Sequence, residues 1–186
     1  MLASGHTAAY AKTMKKPRLT RQSWIDAGLE ALISEGPSAL AAEPLARRMG
    51  TTKGSFYWHF NDVPDFQTAV AASWQTQAFA NVVQALAEPG TPEQRLRRFG
   101  RHVLADQQDQ ALRAWAQTDQ RILEMVVAVD AERLTYLGNL LRHLGITNPD
   151  FAAAALGAVI GMPQLPGVKN PDDAFDTLID LVLALQ

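Results

Sequence analysis

AAEPLARRMGTTKGSFYWHF, residues 41–60, reads as two short helices joined by a glycine turn. Leu45, Ala46 and Met49 recur at i, i+1 and i+4 and share one face of a helix ending at Gly50. Thr51 or Thr52 is placed to cap the next helix, because a hydroxyl there accepts from otherwise unpaired N–H groups. On that second helix Phe56 and Phe60 lie four apart and can pack inward against Leu45 and Met49. Lys53 and Tyr57, also four apart, share a different face with Ser55 and His59 close by. Such a helix suits the recognition element of a helix-turn-helix that enters a DNA groove. The competing reading is an aromatic amphipathic helix that only packs a core.

Charge favours the first reading. Residues 1–62 hold eight Lys or Arg against five Asp or Glu, and residues 63–186 hold nine against fourteen. A basic N-terminal module on an acidic remainder is the asymmetry expected when one end meets phosphate.

The segment Arg21–Phe66 resembles the N-terminal domain of the TetR family of bacterial transcriptional regulators. RQSWIDAGLEALISEG (21–36) is similar to the family's first helix, with Ile25, Ala27, Leu29, Leu32 and Ile33 as its apolar face. LARRMGTTKGSFYWHF (45–60) is similar to its helix-turn-helix, most specifically from Lys53 to Phe60. The resemblance implies phosphate or base contacts at Thr52, Lys53, Tyr57 and His59. The full candidate DNA-binding set is Thr51, Thr52, Lys53, Ser55, Tyr57, Trp58 and His59. The chain departs from the family pattern at Ala41, where a capping Thr is usual, and at Val63, where a basic residue is common. Each lost charged anchor should flatten the salt dependence of binding by about one unit of slope.

The expected fold class is all-α, with a three-helix helix-turn-helix domain at 17–62. A helical ligand-binding and dimerisation domain follows at 63–186, giving roughly nine helices in all. Residues 1–16 read as a disordered leader, with a basic arm reaching DNA as the alternative, and Met14 is an alternative start. Pro64 opens a long helix toward Leu86, ended by Glu88-Pro89-Gly90, and Thr91-Pro92-Glu93 starts the next. That helix has Leu96, Phe99, Gly100, Val103 and Leu104 on one side; Arg95, Arg97, Arg98 and Arg101 are expected to form a solvated face. A short helix at Gln110–Thr118, a long one from Asp119 to about Leu144, one capped near Asp150 and a last one from Pro171 to Leu185 complete the chain.

The central region, roughly residues 66–144, is where a small-molecule pocket is expected. Phe79, Phe99, His102, Trp115, Met125 and Tyr136 are its candidate lining, against the alternative that such residues fill a core. Asp130 and Arg133 are spaced for an i, i+3 ion pair. Asp106 and Asp109 read as a hydrated helix end rather than a metal site, and His102 and His143 as structural or surface residues. The terminal helices carry small residues and an apolar stripe. The resemblance implies that Ala154, Gly157, Gly161, Phe175, Leu178, Ile179 and Val182 form a dimer interface.

Other classes fall away. With no cysteine there is no disulfide, thiolate zinc site or thiol catalysis. No cofactor or metal is called for, and enzyme signatures such as G-x-S-x-G, a P-loop or H-E-x-x-H are missing. The longest apolar run, Phe151–Met162, is too short for a membrane span, and the leader lacks a secretory core. The expectation is a cytoplasmic homodimeric repressor that leaves a palindromic double-stranded operator on binding a small-molecule effector. A nonspecific helical DNA-binding protein and an all-helical enzyme are the alternatives.

Overall fold

The computed structural model describes residues 19–184. The expected leader at 1–16, the alternative start at Met14 and most of the basic stretch before Arg21 lie outside them. Among the described residues there are nine α-helices, two short 3-10 turns and no strand.

The first helix, α1 (Arg21–Glu35), begins at a capping box: Ser23 N–H donates to Thr20 Oγ1 at 3.1 Å, and Thr20 N–H donates to Ser23 Oγ at 2.7 Å. Its buried face is Trp24, Ile25, Gly28, Leu29, Ala31 and Leu32. Ile33, expected in that face, is instead 39% exposed, and Trp24 takes the core position. A stripe stepping by three and four from Trp24 to Leu32 leaves Ile33 beyond its edge.

Then come α2 (Ala42–Arg48) and α3 (Lys53–Phe56). The fourth helix, α4 (Val63–Ala87), is a 25-residue shaft started by Asp62, whose carboxylate accepts from Asp65 N–H at 2.7 Å. Glu88 turns the chain into extended backbone, and Thr91 opens α5 (Pro92–Ala105) with a capping box to Gln94. Next is α6 (Gln107–Ala116), which begins three residues before the expected Gln110 because Asp106 caps it through Asp109 N–H at 3.0 Å. The remaining helices are α7 (Gln120–His143), α8 (Asp150–Gly161) and α9 (Pro171–Ala184).

Two apolar cores share the shaft. One gathers α1–α3 around Phe66, Val70 and Trp74 of α4 and continues through Leu112 and Trp115 of α6 to Val126 and Val129 of α7. The other joins Val82 of α4 to α5, the second half of α7, α8 and α9. These first three helices, the head, are therefore not packed in isolation: their core runs on into α6 and α7. Glycines set the closest approaches in both cores. A Cβ on Gly28 would sit 2.6 Å from Phe66 Cζ, and one on Gly100 would sit 2.0 Å from Phe175 Cε1. These notches let α1 lie against α4 and α9 against α5.

The arginine side of α5 is the solvated face expected only in part: Arg98 and Arg101 are exposed, Arg95 and Arg97 are not, and all four are paired. Arg97 pairs with Glu93, Asp176 and Asp180, and Arg101 with Asp176 at 2.7 Å. Arg98 holds Glu88 at 2.9 Å. Arg95 donates to the terminal carbonyls of α4 at Ala85 and Leu86 and lies over the Tyr136 ring. The row is a seam, because α9 presents acidic residues along it. Hydrogen bonding to Asp180 chiefly raises the Arg97 pKa, with Asp176 and Glu93 adding to it against burial.

Asp109 is not a hydrated helix end either. It is 2% exposed and bridges Arg133 at 2.7 Å and Arg113 at 2.6 Å. Arg113 also grips Asp130 with both terminal nitrogens, at 2.8 and 2.5 Å, and the expected Asp130–Arg133 contact is 3.6 Å. Burial alone would lower the Arg113 pKa, but hydrogen bonds and charge from Asp130 and Asp109 outweigh it and raise the value. This four-residue network ties α6 to α7.

Candidate nucleic-acid interface

The turn between α2 and α3 depends on Gly50, at φ 62°. Gly50 N–H donates to Arg47 O at 3.1 Å and Thr51 N–H to Ala46 O at 2.9 Å, the paired closure of a glycine-terminated helix. Ala41 starts α2 with no side-chain cap. Arg48 ties α2 back to α1 through Glu35 at 2.7 Å and Ser34 at 3.2 Å.

Thr52 occupies the N-cap position of α3, but neither it nor Thr51 supplies the expected cap bond. Thr52 is exposed, and its hydroxyl makes no cap bond to its own helix. The α-helix itself is one turn, Lys53–Phe56, rather than a helix reaching Phe60. Beyond it His59 N–H donates to Phe56 O at 2.9 Å, a tighter i, i+3 turn, while Phe60 N–H reaches the same carbonyl at 3.2 Å. Gly54 inside the turn lowers helical propensity, and aromatic packing fixes the geometry instead. Phe56 is fully buried, meeting Trp24 edge-on at 5.4 Å, Phe66 at 5.3 Å and Phe60 at 5.2 Å between ring centroids. Phe60 is closed from outside by the Arg21 guanidinium, 4.8 Å above its ring.

With the phenylalanines inside, the other side chains face out. Tyr57 is 48% and Trp58 86% exposed, and Lys53 places its ammonium 6.0 Å from the Tyr57 ring. Thr51, Ser55 and His59 are half-buried around them. All seven candidates thus lie on one short segment braced from below by aromatic rings. Among the described residues Lys53 has no carboxylate partner, so its charge is available to an anion. Arg21 was not among the candidates; its position one residue past the Thr20 cap, on the first turn of α1, was the signal that placed it here.

The pocket candidates do not come together. Trp115 lies in the first core, with Phe79 and Met125 packed against it; Phe99 and Tyr136 lie in the second. Phe99 and His102 border a cleft between α4 and α5, with the Tyr136 ring tilted against Phe99, centroids 5.3 Å apart. Arg133, seen in the sequence only as an ion-pair partner, also borders that cleft. Of the interface candidates, Phe175 and Ile179 are buried in the second core of the chain itself, 0% and 1% exposed. Ala154 and Gly157 are exposed, and Gly161, Leu178 and Val182 half-buried. No helix among the described residues is long and apolar enough to cross a membrane.

These features define a helix-turn-helix protein with a second helical layer carried on a shared shaft. Residues 25–62 match the model of the bacterial regulatory proteins of the tetR family. Over 64 residues, 34% of this chain, the sequence is 42% identical to the HTH-type transcriptional regulator SrpR of Pseudomonas putida and 41% identical to TtgW, an uncharacterized HTH-type transcriptional regulator of the same species. Those stretches span 30% and 48% of the relatives' own lengths. Over 89% of this chain and 97% of the other, the fold superposes on a transcriptional regulator from Rhodococcus sp. Rha1 with a TM-score of 0.73 at 19% identity. Residues 25–62 thus form a tetR-family N-terminal domain, and the chain as a whole shares the fold of these regulators.

Proposed function

We propose that the protein is a homodimeric transcriptional repressor that binds a palindromic DNA operator and is released from it by a small molecule. The observation that carries this reading is the outward group of Thr52, Lys53, Tyr57, Trp58 and His59 on a turn anchored by buried Phe56 and Phe60. In this reading the module at 17–62 enters the major groove. Lys53 meets a phosphate or a guanine edge, while Tyr57 and His59 hold the backbone and fix register.

One such head binds weakly; two, joined through α8 and α9, read half-sites one helical turn apart. The exposed Ala154, Gly157 and Leu181 and the half-buried Leu178 and Val182 supply the apolar surface for that pairing. An effector in the domain at 63–186 shifts α4, whose first turns pack in the head's core, and so changes the spacing of the two heads. A preference of about 1–3 kcal/mol for the spread state weakens DNA binding roughly 5–150-fold.

Selection of binding sites from random double-stranded DNA tests the reading. Enrichment of a palindrome supports it. Uniform binding to all sequences, or none, overturns it in favour of a nonspecific DNA-binding protein or a protein of another class.

A further inference from the structure

The cleft between the C-terminal half of α4 and α5 has a volume of about 280 Å3 and an apolar wall that includes Val82, Ala85 and Phe99. Most of its charged lining is already paired: Arg98 with Glu88 and Arg101 with Asp176. Arg133 differs. Its side chain is 4% exposed, and its contacts with Asp109 and Asp130 both run through Nη1. Among the described residues Nε and Nη2 have no hydrogen-bond partner. Neither atom is among the nitrogens sealed away without a partner, which include Arg95 Nε and the indoles of Trp24 and Trp74. The free edge of Arg133 is therefore not sealed off, and Arg133 is one of the residues that line this cleft.

The geometry points to a binding site for a small organic acid, its carboxylate on the Nε/Nη2 edge of Arg133 and its apolar body against Val82, Ala85 and Phe99. Two parallel N–H groups match the two oxygens of a carboxylate better than a single neutral carbonyl. The volume suits a short branched or monocyclic acid and not an extended drug-sized molecule. The site deepens the effector-responsive reading and rests on it for its consequence. Asp109 of α6 then shares Arg133 with a second anion, which loosens α6 from α7, and α6 packs directly on α1 of the head.

Titration calorimetry of the full chain with isobutyrate and benzoate, against isobutyramide and benzamide, tests the site. The acids are expected to bind roughly 10–100-fold tighter than the amides, the range of a charge-assisted hydrogen-bond pair. Arg133→Lys keeps a cation beside Asp109 but loses the planar edge and should erase the preference. Ala85→Trp fills the cleft and should abolish binding of both acids, which keeps the site testable if the Arg133 variant does not fold. Equal binding of acid and amide, or saturable binding of neither, overturns the proposal. Operator affinity measured with saturating benzoate separates the two layers: acid binding without a change in affinity upholds the site and overturns the effector reading.

Discussion

Tyr57 stands on the outside of the α3 turn with its ring beside Lys53, and the fold asks little of it. It is half exposed, and its ring meets Phe56 edge-on at 5.2 Å. Tyr57→Ala is therefore expected to leave the thermal midpoint nearly unchanged while weakening operator binding by about 1–2 kcal/mol, on the scale of one lost contact to phosphate or base. Lys53→Ala should weaken binding across sequences alike and reduce the salt slope by about one unit. Fluorescence anisotropy at several salt concentrations reads both effects, and full affinity in both variants would place the reading face elsewhere. Arg133 and Asp109 carry the opposite lesson. The buried stripe of α7 steps through Ile122, Val126, Val129, Arg133, Leu137 and Leu140, so a charged residue on an apolar stripe was visible in the sequence. Its partner was not, because the i, i+3 spacing pointed to Asp130 whereas the shorter contact comes from another helix.

At the scale of elements, α9 is held to the body by Phe175 and Ile179 in the second core and by a charged seam. Phe175 fills the space that Gly100 leaves open, and a Cβ there would lie within 2.8 Å of three of its ring carbons. Gly100→Ala is expected to cost about 1–3 kcal/mol through overpacking, read as a lowered midpoint in urea. A midpoint equal to the parent's would mean that α9 shifts freely. The seam adds a pH dependence of definite sign. Burial pushes Asp176 up, but hydrogen bonds and charge from Arg101 and Arg97 outweigh it and hold the carboxyl below its usual value. The folded chain thus binds this proton less readily than the unfolded one. Its contribution is complete above the ordinary aspartate range near ~4 and lost as pH falls through the depressed value. Thermal melts of the parent should lose stability below about pH 4 more steeply than melts of Asp176→Asn; parallel curves would remove the seam from the account. Helix starts at Thr91, Asp119 and Pro171 and the apolar stripe of α5 were all legible, because caps, prolines and periodicity are local. The seam was not: a helical wheel separates polar from apolar sides but is silent on which acidic helix, some 75 residues on, will face the polar one. Nor was the shortness of α3, which follows from rings contributed by α1 and α4.

For the whole molecule, the two cores explain why a head and a distal surface can be coupled at all. The shaft α4 contributes Phe66 and Val70 to one and Val82 to the other, while α7 spans both. A change in the α4–α5 cleft is therefore applied to helices already packed into the head. The same layout assigns the outer surface of α8 and α9. Phe175 and Ile179 are buried in the second core, which leaves Leu181, 60% exposed, as the most exposed large apolar residue of α9. Because it contributes so little within one protomer, Leu181→Glu is expected to preserve the helical circular-dichroism spectrum. Sedimentation velocity should then report the mass of a single chain instead of two. Operator affinity should fall about 100-fold or more, since each head loses the effective concentration supplied by its twin. An unchanged mass would move the pairing surface off α9. A monomeric variant with parent affinity would mean that one head alone suffices, and the palindrome would no longer be required.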